Sequence, residues 1–181
     1  MKKLLKKLSA RSSTFNSRFS ILRKGFTLIE LLIVVAIISA LAIAVFVALN
    51  PAQRLKDAKD ARRTADADTI LTAIHAAIVD TKGTLPAGLT TSMLETQLGT
   101  GTSAQCSPVA TVGCAVAAST ACVNLTAPLA KYLKAMPISP DFGATTYSAV
   151  STGYSVTVDA NNIVTIKACG TEGAVGISAS R

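Results

Sequence analysis

The stretch RKGFTLIELLIVVAIISALAIAVFVALN at residues 23–50 decides how this chain is organised. Nineteen consecutive residues, Leu31 to Leu49, are apolar apart from Ser39. At about 1.5 Å per residue, a helix of this length spans roughly 28 Å, close to the thickness of a bilayer core. Glu30 nevertheless stands at the head of the segment, five residues after Gly25. The pattern predicts a membrane-spanning helix whose first turn carries a carboxylate, and that carboxylate needs an explanation.

The net charge of +8 is concentrated ahead of this segment. Residues 1–25 carry eight Lys and Arg residues and no acidic one, whereas residues 26–181 carry ten basic and ten acidic residues. Because basic flanks favour the cytoplasmic side, we expect the N-terminus in the cytoplasm and the rest of the chain outside. A body without net charge does not favour phosphate backbones, so we expect no direct nucleic-acid partner for it.

Four cysteines, Cys106, Cys114, Cys122 and Cys169, all follow the apolar segment. An even number beyond an export-like segment favours disulfides in an oxidising compartment. Four cysteines allow three pairings, and the sequence does not choose among them. Our working prediction is Cys106–Cys114 and Cys122–Cys169. The chain has no C-x-x-C and a single histidine, His75, so we expect no zinc site.

The composition divides the chain into five segments. These are a basic leader (1–25), the apolar helix (26–50), an amphipathic continuation of the helix (51–82), a small head (83–169) and a flexible tail (170–181). Residues 52–80 have a helical pattern that is polar nearly all round at first. An apolar stripe then appears at Ile70, Ala73, Ile74, Ala77 and Ile78, so the helix emerges solvated and later gains a face to bury. Lys82-Gly83 is predicted to end it.

The head changes from irregular structure to strands along the chain. We predict short helices at Ser92–Leu98 and at residues 125–135, a strand at Thr146–Val150, and a hairpin formed by Tyr154–Val158 and Ile163–Ala168. The polar run DANN at 159–162 is the turn of that hairpin. The fold class that follows is α+β, with a long N-terminal helix packed against a small antiparallel sheet.

Several interpretations of residues 23–50 are open at this point. A buried core helix is disfavoured, because the rest of the chain is too small to cover it on all sides. A plain membrane anchor remains open. A removed signal peptide also remains open, since Ala40-Leu41-Ala42 and Ala42-Ile43-Ala44 are small-x-small sites. The long leader and Glu30 are both atypical of signal peptides.

The run RKGFTLIELLIVVAIISALA resembles the N-terminal signature of type IV prepilins and of the pseudopilins of type II secretion. In that family a basic leader ends in glycine, an aromatic residue follows, and a glutamate is the fifth residue of the mature chain. The positions here are Gly25, Phe26 and Glu30. The resemblance implies cleavage between Gly25 and Phe26 and methylation of the new amine on Phe26, both by a prepilin peptidase/methyltransferase.

The same resemblance implies an assembly role for Glu30, which would pair with the N-terminal amine of a neighbouring subunit. The helix would lie in membrane lipid first and in a filament core later. Small residues along it would allow close helix approach. They are Ala36, Ser39, Ala40, Ala42, Ala44 and Ala48.

The function implied is that of a structural subunit of a type IV pilus, serving motility, adhesion or DNA uptake. Its partners would be further copies of the chain and the pilus or secretion assembly machinery. It would reside in the cytoplasmic membrane as a single-pass protein before forming an extracellular or cell-envelope filament. The alternatives are a pseudopilin of a type II secretion or competence system and, in another class, a single-pass membrane-anchored binding domain.

Nothing in the sequence predicts an enzyme or a cofactor. One histidine and few acids do not assemble into a catalytic set or a phosphate-binding loop. The C-terminal part loosely resembles the β-region of pilins and of the major pseudopilin, in which carboxylates hold a calcium ion. Asp141, Asp159 and Glu172 are the candidates, but they lack the dense spacing of a calcium loop, so we predict surface charges.

Overall fold

The computed structural model describes residues 25–106, 110–111, 113–116, 121–173 and 176–181. Apart from Gly25, the basic leader lies outside the described residues. The chain divides into two compact units, Met1–Val47 and Ala48–Arg181. The elements are α1 (Leu28–Leu49), α2 (Pro51–Asp80), β1 (Met93–Gln97), β2 (Ala110–Thr111), β3 (Cys114–Ala115), β4 (Tyr154–Val158), β5 (Val164–Ala168) and β6 (Ser178–Ser180).

Helix α1 consists of 22 residues and has no buried residue. It is the apolar part of the helical segment Leu28–Asp80. Among the described residues, this segment is the one helix that is long and apolar enough to cross a membrane. Ser39, its one polar residue after Glu30, donates its hydroxyl to the Val35 carbonyl at 2.8 Å. That hydroxyl is therefore satisfied within its own helix, as an apolar surround requires.

Asn50 separates the two helices in the left-handed region, at φ 40° and ψ 71°. Asparagine tolerates this region better than most residues. Pro51 then opens α2, where the missing N–H of proline leaves no extra hydrogen bond unmade. One helical segment thus runs over Leu28–Asp80 with an interruption at Asn50.

Helix α2 ends where the sequence predicts, at Lys82-Gly83. Lys82 lies at φ 56°, the Gly83 N–H donates to the Ile78 carbonyl at 2.8 Å, and the Lys82 N–H donates to the Val79 carbonyl at 3.2 Å. These two bonds form a Schellman motif, which satisfies carbonyls that the helix end would leave unpaired.

Four strands form an antiparallel sheet in the order β1-β4-β5-β6. The pairs Tyr154↔Ala168, Val156↔Ile166 and Val158↔Val164 set the register of its centre. Because alternate residues of a strand share a face, the large apolar residues of β4 and β5 all point to one side. The predicted hairpin is confirmed.

Helix α2 packs on that apolar face and forms the core of the head. Ile70, Ile74, Val156 and Ile166 are fully buried, and Leu98, Leu125 and Leu129 belong to the same buried cluster. The predicted stripe on α2 is confirmed at its four buried members, Ile70, Ala73, Ile74 and Ala77, while Ile78 is partly buried. The structure is α+β, as the sequence predicts.

Four local predictions were wrong. Residues Met93–Gln97 form β1 rather than a helix, because pairing with β4 outweighs local propensity. Residues 125–135 make successive turns rather than a regular helix, and Thr146–Val150 forms no strand. The C-terminal residues Ser178–Ser180 pair with β5, so the prediction of a flexible tail over 170–181 is wrong for these three residues.

The predicted disulfide pairing was also wrong. The bridges are Cys106–Cys122, with Cα atoms 5.3 Å apart, and Cys114–Cys169, with Cα atoms 4.9 Å apart. The β2–β3 hairpin brings Cys114 to the residue that follows β5. Chain topology rather than sequence spacing therefore selects the partners.

Candidate functional site

The start of α1 is closed by a reciprocal pair of hydrogen bonds between Thr27 and Glu30. The Thr27 N–H donates to Glu30 Oε2 at 3.1 Å, and the Glu30 N–H donates to Thr27 Oγ1 at 3.2 Å. The Thr27 hydroxyl also donates to Oε2, at 3.0 Å. This is a capping box, in which the side chains at the N-cap and at the third helical position satisfy each other's backbone N–H groups.

The capping box gives the carboxylate of Glu30 a partner inside its own chain. A negative charge in the first turn is also favoured by the helix dipole. The sequence signal was present as Thr-x-x-Glu before an apolar run, and our reading of the sequence missed it. The carboxylate at the start of the apolar segment is therefore part of a hydrogen-bonded helix cap.

Gly25 and Phe26 precede the helix and are exposed, Phe26 with 82% of its surface accessible. Among the described residues, no atom lies within 4 Å of a Cβ built on Gly25. The described fold therefore gives no steric reason for glycine at this position.

The polar first half of α2 is less solvated than its sequence suggests. Arg63 is fully buried. Its guanidinium donates to Asp60 Oδ1 at 2.7 Å, to the Pro140 carbonyl at 2.9 Å and to the Ser139 hydroxyl at 3.2 Å. The bonds to Ser139 and Pro140 thus anchor the helix to the loop before Asp141, and Asp60 lies on the same helix.

Asp60 connects the same helix to the segment that follows β5. Its carboxylate accepts the Glu172 N–H at 3.0 Å and the Gly173 N–H at 2.9 Å. Lys59 adds an ion pair to Glu172 at 3.2 Å. Asp60 pairs with Arg63 rather than with Lys56 four residues earlier, because the Arg63 guanidinium lies buried beside it.

Two other carboxylates of α2 hold tyrosines. Arg62 and Asp66 form an i,i+4 ion pair at 3.7 Å, and Asp66 also accepts the Tyr154 hydroxyl at 2.8 Å. Burial, followed by this hydrogen bond, raises the pKa of Tyr154.

Asp80 accepts hydrogen bonds from Lys131 Nζ at 2.5 Å and from the Tyr132 hydroxyl at 2.6 Å. These hydrogen bonds lower the pKa of Asp80.

The three calcium candidates have separate structural tasks. Asp159 accepts the N–H groups of Asn161 and Ile163 in the β4–β5 turn, at 2.8 and 2.7 Å. Glu172 pairs with Lys59, and the Asp141 backbone carbonyl accepts Lys59 Nζ at 3.1 Å. Within the part of the chain that the structure describes, no three potential ligands cluster around a metal-sized site. His75 is half-buried on α2.

Residues 22–46 match a family model described as the prokaryotic N-terminal methylation motif. The match spans the end of the leader, the capping box and most of α1. Searches of curated proteins and of solved structures returned no significant match to the chain. The matched motif is the signature of type IV pilins and pseudopilins, and the long N-terminal helix with a small antiparallel sheet is a pilin-like arrangement. Residues 22–46 therefore carry the N-terminal signature of the type IV pilin and pseudopilin family.

Proposed function

We propose that this chain is a structural prepilin subunit that is cleaved, N-methylated and polymerised into a type IV pilus. The observation that carries the proposal is α1, a helix of 22 residues with no buried residue and almost no polar group. Exposing so much apolar surface to water is strongly unfavourable. Membrane lipid before assembly and other copies of α1 after assembly are surroundings that remove it from water.

The processing site is proposed at the bond between Gly25 and Phe26. Both residues are exposed and precede the first helical turn, so a peptidase can reach the bond without unfolding α1. The absence of any steric demand for glycine among the described residues is consistent with selection by an outside partner, the prepilin peptidase. Cleavage leaves α1 attached to the product, and the new amine on Phe26 is the proposed site of methylation.

Glu30 is proposed as the assembly residue, with the capping box holding its side chain in place. Both hydrogen bonds from Thr27 end on Oε2, so Oε1 has no partner among the described residues. Oε1 is therefore available to the N-terminal amine of a neighbouring subunit. A carboxylate within lipid costs about 2.5–3.5 kcal/mol on insertion scales, less near the membrane edge, and a cationic partner offsets part of this cost.

The cheapest test of processing is N-terminal sequencing of the mature protein. A start at Phe26 supports the proposal. A start between Ala42 and Val45 identifies a removed signal peptide instead, and an intact Met1 identifies a plain anchor. Either of the last two results refutes the proposed cleavage.

The test of assembly compares Glu30→Ala with Thr27→Ser, a matched control that keeps the hydroxyl of the capping box. We expect Glu30→Ala to insert into the membrane normally and to lose filaments in electron micrographs. Thr27→Ser should assemble like the wild-type chain. Wild-type filament yield from Glu30→Ala would refute the assembly role.

The main alternative within the family is a pseudopilin of a type II secretion or competence system, which forms a short filament within the envelope. The proposed membrane topology and the partners (peptidase, assembly machinery, further copies) are the same in both cases. Long surface filaments support the pilus. Filaments restricted to the envelope support the pseudopilin, and a membrane-bound monomer supports an anchored binding domain. No catalytic role is proposed in any of them.

A further inference from the structure

The two disulfides of the head interlace. Cys114 lies inside the loop that Cys106–Cys122 closes, and it bonds to Cys169 outside that loop. Neither native bridge therefore joins cysteines that are neighbours in the sequence. The described bridges belong to one of three possible pairings, and the other two each contain a nearest-neighbour bridge.

Loop statistics favour the non-native bridges when the chain is first oxidised. Cys106–Cys122 has a sequence separation of 16, and Cys114 lies at its midpoint. Two of the three nearest-neighbour bridges, Cys106–Cys114 and Cys114–Cys122, thus close loops half as long. The loop-closure relation makes each of them form about threefold faster than Cys106–Cys122. By the same relation, roughly one first bridge in six is native.

A non-native bridge cannot be accommodated in the finished head. The Sγ atoms of Cys106 and Cys122 lie 3.9 and 3.3 Å from the Val150 carbonyl oxygen. Cys114 lies at a different place, where its Sγ is 3.2 Å from Ser155 Oγ on β4. A bridge between Cys106 and Cys114 would have to pull residues from two separate sites together.

Three of the four cysteines are buried once the head has packed, and Cys122 is partly exposed. Cys106 and Cys169 are fully buried and Cys114 is 6% exposed. Exchange at these three buried cysteines must therefore take place before the head packs. A catalyst that exchanges disulfides in the unpacked chain would convert the non-native bridges to the native ones.

We propose that this chain is a substrate of a thiol–disulfide isomerase in the compartment that receives the head. The partner is defined by its chemistry, a reactive cysteine thiolate of lowered pKa. The order in which the cysteines reach that compartment rests on the proposed membrane topology. With the N-terminus inside, Cys106 and Cys114 arrive first and are the first to be joined. The preference for the two short loops does not depend on this order.

The exchange is redox-neutral and returns the catalyst. The isomerase thiolate attacks Cys114 in the Cys106–Cys114 bridge, forms a mixed disulfide and releases the Cys106 thiolate. That thiolate attacks Cys122 in the Cys122–Cys169 bridge, forms Cys106–Cys122 and releases the Cys169 thiolate. The Cys169 thiolate then attacks Cys114 in the mixed disulfide, which forms Cys114–Cys169 and frees the isomerase thiolate. Two disulfides enter and two leave.

The test uses the reduced full-length chain in detergent micelles. The chain is oxidised with stoichiometric diamide and divided between catalytic amounts of reduced protein disulfide isomerase and the same isomerase with its active-site cysteines replaced by serine. Non-reducing peptide mapping after elastase digestion measures the pairing. We expect about one molecule in six to carry the native pairing before treatment. Active isomerase should raise this fraction about fivefold, and the inactive variant should leave it unchanged.

The matched control is the double variant Cys114→Ser/Cys169→Ser, which has one possible bridge. It should form Cys106–Cys122 at the same rate with either isomerase. The proposal is overturned if the oxidant alone gives the native pairing in full, or if active isomerase leaves the distribution unchanged. It is also overturned if protein purified from its host maps as Cys106–Cys114. A failure of the prepilin proposal would appear instead in the N-terminal sequence, which this experiment does not read.

Discussion

Replacement of Arg63 by alanine should destabilise the head more than any other single charge removal on α2. Arg63 is fully buried, with donors directed at Asp60, Ser139 and the Pro140 carbonyl. Breaking a buried pair by removing one partner costs about 3–5 kcal/mol. Asp60 keeps two backbone N–H donors, from Glu172 and Gly173, so its charge is not left bare. We therefore expect the lower end of the range, about 3 kcal/mol.

The matched control is Arg62→Ala, one residue earlier on the same helix. The Arg62 side chain is 63% exposed and lies 3.7 Å from Asp66, so its loss should cost less than about 1 kcal/mol. Urea unfolding of the full chain in micelles, followed by near-UV circular dichroism of the tyrosines, measures both. With a slope of about 2 kcal/mol/M, Arg63→Ala should lower the midpoint by about 1.5 M. Equal midpoints for the two variants would refute the buried anchor.

Three further predictions concern the core, a tight glycine and one surface contact. Ile74→Ala should lower the free energy of unfolding by about 2–5 kcal/mol in the same assay, whereas Val79→Ala at an exposed site should change it by less than about 0.5 kcal/mol. Gly153→Ala should cost about 1–3 kcal/mol, because its Cβ would lie 2.7 Å from a tyrosine ring atom at φ +79°. Hydrogen bonds from Lys131 and then Tyr132 hold the pKa of Asp80 below its ordinary value of 3.8. This contact therefore stabilises the head above pH 3.8, and the stabilisation is lost as the pH falls through the lower pKa of the folded state. Carboxyl NMR titration should show the pKa of Asp80 rising toward 3.8 in Lys131→Gln, and an unchanged pKa would contradict the contact.

Periodicity made the long elements of this fold predictable from the sequence. The apolar run at 31–49 and the stripe from Ile70 to Ala77 report how side chains are distributed around a helix, and alternation in β4 and β5 reports the two faces of a strand. Each pattern is local, so each is visible without knowledge of the tertiary structure.

The remaining features depend on contacts between distant residues. Met93–Gln97 forms a strand because it pairs with β4, and the local sequence contains no signal for that pairing. Cys114 finds Cys169 through the path of the β2–β3 hairpin. The burial of Arg63 depends on the loop at 139–140 lying over α2. The capping box differs, because its signal is local and could have been read.

The bridges of the head also set how far it can lengthen under a pulling force. The fully extended chain from Cys106 to Cys169 would span roughly 210 Å. With Cys114 bonded to Cys169, the shortest covalent route is the chain from Cys106 to Cys114, roughly 28 Å when taut, followed by a bridge whose Cα atoms are 4.9 Å apart. A load applied between α2 and β6 can therefore extend the stretch before Cys106, which holds β1, but it then meets a covalent stop. That stop shields β4 and β5, which lie between Cys114 and Cys169, whereas β1 and β6 lie outside it.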